Sequence, residues 1–365
     1  MSDKIQLRRD NATNWTTNNP ILLEGEIGVE YNTTQLESTS ILRMKIGNGV
    51  NAWNNLPYIN TGSFTPATNV VYDNGDLVIL ENQSPITPTD GVKIFNKKIA
   101  NRNFCAGVGS SGMDYIYQPS MWRQKIFHWS ANGNNTAFTA VGGEAFTILG
   151  TATTRNVAAN NLFTRVRRLG YVSAATAGSL GGIYSTVSRF STGTGNGLGG
   201  FFYSCRFGVS DAASVAGARM FVGVCNSTAA PANVPTNVEP SSILNQIGVA
   251  QLSTSSTQLY LVCNGTVAQT PIALGTDFPP KSGVGITEGI FYDFSIFASP
   301  YDNTKINYCL EKVGTSIRTV GTVTGDSTII PASDVFMQHR AWRTNNTTAL
   351  AVGLDISTIY VETDY

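Results

Sequence analysis

The chain has 365 residues, and its 24 Lys and Arg are matched by 24 Asp and Glu. Zero net charge argues against a nucleic-acid binder, whose affinity comes from cations neutralising phosphate, and against an acidic solvating tail. Only 13% of residues are charged, while 42% are hydrophobic and 36 are Gly, a balance that suits β-sheets joined by many turns in two or three domains.

Residues 1–60 read as one unit. Ile5–Arg9 alternates and predicts a strand, Gly25–Tyr31 a second and Ile41–Ile46 a third. Gly47, Asn48 and Gly49 follow as a hairpin turn, since Asn and Gly both tolerate positive φ. Trp53, Leu56 and Pro57 close the unit. With so few apolar residues it buries little alone, and a region this small is expected to need partners. The first ten residues lack the apolar stretch of a signal peptide.

Residues 61–100 are expected to be a linker or a short β stalk. Asp73–Asp76 and the Pro-bearing Ser84–Pro88 are turn signals, with short strands at Leu77–Leu80 and Val92–Ile94. From 101 to 365 strand follows strand, with a possible subdomain over 101–195. The clearest are Gly200–Phe207, Ala218–Val224, Leu259–Val262, Gly289–Phe297, Ile306–Leu310 and Val352–Ile356. In the first of these Tyr203, Cys205 and Phe207 share one face and Arg206 points the other way. Ala212–Ala218 and Ser241–Gln246, the second after Pro240, are each expected to form a turn or a short helix. No fixed-period repeat is present, which disfavours a propeller or solenoid. The residues therefore predict an all-β chain whose head, 101–365, is a β-sandwich or jelly roll. No apolar run reaches the roughly 18 residues of a membrane span.

Five Cys at 105, 205, 225, 263 and 309 include no CxxC pair, and their odd number opposes a full disulfide framework. Mostly buried thiols are expected, consistent with assembly in a reducing cytoplasm. Gly107–Gly112 and Gly195–Gly200 match GxGxxG, but neither precedes a credible helix, so both read as turns. Gly275–Ser282 resembles a P-loop, except that Pro280 has no amide to offer a phosphate. His128 and His339 stand in apolar strands and read as strand residues with a satisfied hydrogen bond. No GxSxG elbow, zinc spacing or acidic cluster accompanies them, so no catalytic residue, metal or cofactor is assigned. In a strand Arg165 and Arg167 share a face and Arg168 opposes them; a solvated face competes with contact to anionic lipopolysaccharide or teichoic acid, and the stretch reads as the solvated face. Sugar recognition uses aromatic faces beside amides and cations, which makes Trp122, Trp129 and Trp342 the candidate receptor-binding residues, although core packing competes for each.

One stretch carries more specific information. Leu7, Arg8, Arg9 and Asp10 are followed by Asn14 and Trp15, then by Leu23-Glu24-Gly25-Glu26-Ile27-Gly28-Val29-Glu30. The pattern resumes at Met44-Lys45-Ile46-Gly47-Asn48-Gly49 and ends at Ala52, Trp53, Leu56, Pro57 and Tyr58. In this order the residues resemble the N-terminal module of phage tail-fibre and receptor-binding proteins of the major-tropism-determinant kind. Two departures are a longer Tyr31–Ser40 segment and Asn48 where Asp is usual. Strand patterns around Gly200–Tyr203, Ala218–Gly223, Trp342–Asn346 and Leu350–Ile356 also look like the sandwich heads of phage fibres.

The resemblance implies a small β-prism-like module around a threefold axis, hence a homotrimer. It implies a virion fibre or spike on the particle exterior, assembled in the bacterial host cytoplasm, that binds a host-surface glycan or protein without catalysis. Its further partners would be other virion proteins of the tail, baseplate or capsid, with no nucleic acid and no membrane insertion. A capsid-attached head fibre or decoration protein, a glycan-cleaving tailspike and a secreted bacterial lectin remain as alternatives. Cleavage would require two carboxylates about 5–10 Å apart.

Overall fold

The computed structural model describes residues 8–31, 43–59, 70–73, 76–79, 86–110, 114–116, 125–131, 146–231 and 238–363, and the chain divides into two compact units, Met1–Leu80 and Glu81–Tyr365. Strands dominate both.

In the first unit β1 (Arg8–Asn11) runs directly into α1 (Ala12–Asn18). β2 (Ile27–Tyr31) then pairs parallel to β1, and β3 (Arg43–Ile46) pairs antiparallel to β2. The first strand begins at Arg8; Ile5–Leu7 and the long segment 32–42 lie outside the described residues. The helix was not expected, because Thr and Asn are weak helix formers. Its caps account for it. Asn11 Oδ1 accepts from the Asn14 amide at 2.7 Å, and Asn19, at φ 39°, donates its amide to the Trp15 carbonyl. A separate hairpin joins β4 (Val70–Asp73) to β5 (Asp76–Ile79).

The second unit opens with a three-stranded meander, β6 (Val92–Ile99), β7 (Arg102–Gly109) and β8 (Asp114–Ile116). The β6–β7 turn, at Ala100 and Asn101, therefore crosses the boundary expected at residue 100. Next come β9 (Lys125–Ser130), β10 (Thr147–Leu149), β11 (Thr151–Thr154), β12 (Leu169–Val172) and β13 (Leu180–Tyr184). β14 (Phe201–Val209), β15 (Arg219–Cys225), β16 (Gln246–Gln251), β17 (Tyr260–Asn264) and β18 (Ile272–Ala273) follow. The series ends with β19 (Tyr292–Ala298), β20 (Lys305–Lys312), β21 (Arg318–Thr324), β22 (Gln338–Thr344) and β23 (Gly353–Thr363).

These strands build two sheets. One has the order β11-β12-β23-β14-β19-β20-β21, with β9 also on β23; the other has the order β10-β13-β22-β15-β16-β17-β18. Their inner faces meet in one apolar cluster that includes Tyr203, Cys205 and Phe207 from β14, Val222 and Val224 from β15, and Ile359 and Val361 from β23. The architecture is thus an all-β sandwich, as the alternation predicted. Arg206 points out of the core and pairs with Asp293.

A bulge decides the phase of β23. Arg206 stands opposite Thr358 but Phe207 opposite Ile356, so Ser357 is extra and the inward positions shift from 354 and 356 to 359 and 361. Both expected turns are present in their shorter form. The Ala218 amide closes a turn on the Val215 carbonyl, and Pro240–Ser242 forms a single 3-10 turn. The segment at Arg165–Arg168 is not a strand: a capping box at Asn161 and Thr164 starts a one-turn helix, Leu162–Arg165.

The registers place the connections. Phe201 lies opposite Ala298 and Thr363, and Gln338 opposite Cys225. Residues 185–200, 299–304 and 325–337 therefore gather at one end of the sandwich. Residues 173–179, 210–218 and 345–352 gather at the other.

Candidate functional site

The N-terminal signature converges on one cluster. Trp15 and Trp53 stack with ring centres 4.0 Å apart and planes 14° from parallel, and Leu22 and Leu56 complete the core. Gly28 sits against them, where a Cβ would lie 2.5 Å from the Trp53 ring. The loop of Glu24, Gly25 and Glu26 is tied to the turn of Gly47, Asn48 and Gly49. The Gly25 amide donates to the Gly47 carbonyl at 2.9 Å and the Gly47 amide to the Glu26 carbonyl at 2.8 Å. Gly25 and Gly49 adopt φ of 79° and 71°, and a Cβ on Gly47 would fall 2.2 Å from the Leu23 carbonyl. Asn48 Oδ1 accepts from the amides of Val50 and Asn51, so Asn serves this turn well.

The charged members seal the same cluster. Lys45 lies with its Nζ 4.8 Å from the Trp53 ring and 4.1 Å from the Tyr58 ring, and donates to the Trp53 carbonyl at 2.8 Å. Burial lowers its pKa, and the nearby Glu30 carboxylate opposes that shift. The Tyr58 hydroxyl donates to Glu30 at 2.7 Å. Arg8 covers Trp15 at 5.6 Å and pairs with Glu26 at 3.7 Å. Arg9 is exposed on β1, and Leu7 lies outside the described residues.

The aromatic receptor candidates fare differently. Trp129, on β9 opposite Ile359, is 3% exposed and belongs to the core. Trp342, on β22 between Gly182 and Phe221, is fully buried. Neither offers a ring face to a ligand, which corrects both assignments. The competing demand is burial, since a Trp on a central strand fills the interior. Trp342 occupies the outer face of its sheet, where outward residues would ordinarily meet solvent. There residues 226–231 and 238–245 lie over the sheet, with Arg340 donating to the Ser227 carbonyl, Arg219 pairing to Glu239 and Asn264 Nδ2 donating to the Ser241 and Ile243 carbonyls. Trp122 lies outside the described residues.

The basic stretch is also structural. Arg168 is buried and donates to Asp355 at 2.9 Å, while Arg155 approaches the same carboxylate at 3.3 Å and the Ser210 hydroxyl donates to it at 2.5 Å. Burial lowers the Arg168 pKa, with Asp355 opposing the shift. Nearby, Arg343 makes a bidentate pair with Asp211 and donates to Gln251 at 2.7 Å. Arg102, from the β6–β7 hairpin, bonds Glu362 at 2.5 Å and lies over Phe104, Phe202 and Phe297, docking the meander on the outer face of its sheet.

Two features at the first sandwich end face outward. Gly195, Gly197, Gly199 and Gly200 all take φ between 72° and 88°, confirming this GxGxxG match as a turn. The turn packs on Tyr301, whose ring lies 2.9 Å from a Cβ built on Gly197 and which is otherwise exposed. The second feature is a cavity of about 220 Å³ between the sheets, lined by Phe127, Phe146, Phe190 and His339, among others. Neither feature was legible as a site, because glycine turns and isolated strand residues name no ligand.

Four of the five Cys, 205, 225, 263 and 309, are buried thiols, and Cys105 is exposed. Burial raises the Cys205 and Cys263 pKa to about 12 and that of Cys309 to about 11, which keeps them protonated and unreactive. Among the described residues no group of three or more His, Cys, Asp or Glu is arranged to hold a metal ion, and no helix is long and apolar enough to cross a membrane.

No curated protein matches the chain. Solved structures similar to it include a Shewanella oneidensis MR-1 protein of unknown function, at 11% identity over 68% of this chain and 90% of that one, with a TM-score of 0.39. Peanut lectin is similar at 11% identity over 66% and 97% of the two chains (TM-score 0.40), and lectin II from Ulex europaeus at 13% over 66% and 98% (TM-score 0.40). The signature residues from Lys45 to Trp53 lie beyond the stretch matched by a family model, yet they pack on residues within it. That stretch is residues 5–37, and the model is that of the major tropism determinant N-terminal domain.

Proposed function

We propose that the protein is an adsorption fibre or spike on the exterior of a tailed-phage virion, holding host-surface glycans by non-covalent contact. The observation that carries this reading is the N-terminal module, matched over residues 5–37 and built from interlocking signature side chains. The mechanism is adsorption, with no covalent step and no cofactor.

A homotrimer is part of the proposal. The first unit leaves Leu23 75% and Val50 76% exposed, with Ile21 and Ile46 also outward. These residues sit on adjoining segments, since the Gly49 amide donates to the Leu22 carbonyl and Ile21 bridges Ala52. Apolar surface of this kind on a four-residue core is the kind that self-association covers. Three copies would also multiply weak sugar contacts.

The test is the solution mass by light scattering, followed by binding of the same sample to candidate host cells. A mass near three times 39.0 kDa with cell binding is the expected result. A trimer that binds no cells would favour a structural or capsid-decorating role. A monomer would remove the trimeric module and with it this reading.

A further inference from the structure

The cavity at the first sandwich end is enclosed from both sheets. β9 supplies Ile126 and Phe127, β23 supplies Val361 and Thr363, and β22 supplies Gln338 and His339. The segment after β13 forms the remaining wall. It is held along β22 by the Ser185 amide, which donates to the His339 carbonyl at 3.0 Å, and by the Arg189 amide, which donates to the Met337 carbonyl at 2.9 Å. The Ser188 hydroxyl adds a 2.6 Å bond to Gln338 Oε1. The space is thus built by tied backbone.

His339 is its most informative lining residue. The ring is 3% exposed, stacks on Tyr203, and meets Phe146 edge-on at 5.2 Å. Its Nδ1 shares a 2.9 Å hydrogen bond with the Tyr203 hydroxyl, which fixes the ring. Its Nε2 is buried and has no hydrogen-bond partner among the described residues. A buried polar atom left unpaired costs about 1–3 kcal/mol, and such a group in a native fold calls for an explanation. Burial lowers the His339 pKa to about 3, so the imidazole is neutral and asks for one neutral partner.

The rest of the lining narrows that partner. Phe127, Phe146, Phe190, Ile126 and Val361 make the walls apolar, while Ser185, Gln338 and Thr363 add neutral polar groups. Among the described residues no carboxylate lines the cavity, which disfavours a cation. Among the described lining residues the one charged side chain, Arg189, is exposed and stands with Val187 at the mouth, so the described interior favours no anion. A purely apolar ligand would leave Nε2 unpaired. At about 220 Å³ the cavity is smaller than the roughly 300–1,000 Å³ usual for drug-sized ligands.

We infer that this cavity takes the terminal, uncharged sugar ring of a glycan end-on, with a ring hydroxyl bonded to His339 Nε2 and C–H faces against the Phe walls. The inference rests on the adsorption reading for the source of the glycan, and on the cavity for its chemistry.

The test uses the full-length protein labelled with nitrogen-15. The chain has two His, so the imidazole signals of His339 and His128 can be told apart, and His128 serves as the internal control. Glucose, galactose, mannose, rhamnose and N-acetylglucosamine are titrated in turn at millimolar concentration. At least one is expected to move the His339 signals and leave those of His128 in place. Val187→Trp, an exposed substitution at the mouth, avoids the folding risk of altering His339. It is expected to abolish the shift and to lower cell adsorption by about tenfold or more. No shift with any of the five sugars, or a shift that persists in the Val187→Trp protein, overturns the inference. If wild type and Val187→Trp adsorb to cells equally, the cavity assignment falls while the adsorption reading stands. If wild type does not adsorb at all, the adsorption reading falls, and the titration alone judges the cavity.

Discussion

The N-terminal unit rests on Trp15, Leu22, Trp53 and Leu56, whereas the sandwich encloses a cluster running from Trp129 to Val361 and drawn from most of its strands. The consequence is a difference in redundancy. In the small unit Arg8, Gly28, Lys45 and Tyr58 all lie against the same two indole rings, so loss of either ring is felt by several of them at once. In the sandwich, many residues share one interior, and a single loss is spread over neighbours. Trp53→Ala removes half of the indole stack and the ring on which the Lys45 ammonium rests. A Trp→Ala core truncation costs about 3–5 kcal/mol, which a core of this size lacks the reserve to absorb. The unit is expected to unfold while the sandwich stays intact. The stacked pair gives an exciton-coupled circular dichroism band specific to this unit, and retention of that band in the variant would refute the account.

The matching blow to the sandwich is Asp355→Ala. Asp355 accepts from Arg168, Arg155 and Ser210, and its removal leaves two largely buried guanidinium groups without their counter-charge. Breaking a buried pair on one side costs on the order of 3 kcal/mol or more. Here the larger interior should hold the fold, so a lowered unfolding midpoint with native strand content is expected in denaturant titrations. Complete unfolding would mean that the sandwich has no more reserve than the small unit.

This difference also explains what was legible in the sequence. The small unit announced itself because its demands are peculiar: Gly28 must lack a Cβ beneath Trp53, Gly47 must lack one beside the Leu23 carbonyl, and Lys45 must reach both Trp53 and Tyr58. In the sandwich, alternation located β14 and its inward face of Tyr203, Cys205 and Phe207, since that only requires a period of two. The full extent of β23 escaped because the bulge at Ser357 breaks the alternation. Trp342 misled because outward parity suggests exposure, whereas the outer face of its sheet is itself covered, in part by residues 227–229 and 239–243. His339 sat in an apolar strand and read as satisfied. One of its nitrogens is satisfied; the other lines a cavity that forms only when β9, β22 and β23 come together.

His339 also gives the sandwich a pH dependence. Folded, it titrates near 3 because burial disfavours its charged form; unfolded, it returns to about 6.5. Between those values the unfolded chain binds a proton that the folded chain does not. Stability should therefore fall as pH drops from about 6.5 toward 3, by at most ~1.4 kcal/mol per pH unit from this group. Comparing chemical denaturation of wild type and His339→Gln at several pH values isolates the effect, since the variant should lose that part of the slope. Equal slopes would show that the imidazole is not held neutral.

The smallest expected effect comes from the outer face of the same strand that supplies the core. Arg206 makes a bidentate pair with Asp293 at 2.7 and 2.6 Å, but both side chains remain about 30% exposed. Exposed pairs contribute about 0–1 kcal/mol, because water screens the attraction and two long side chains lose freedom. Arg206→Ala should shift the unfolding midpoint little, and by still less at high salt. Its neighbours on β14, Cys205 and Phe207, carry the strand's contribution from the opposite face. If Arg206→Ala proved as damaging as Asp355→Ala, burial would not be what separates structural charges from solvated ones in this sandwich, and the redundancy assigned to its interior would have to be shared with its surface.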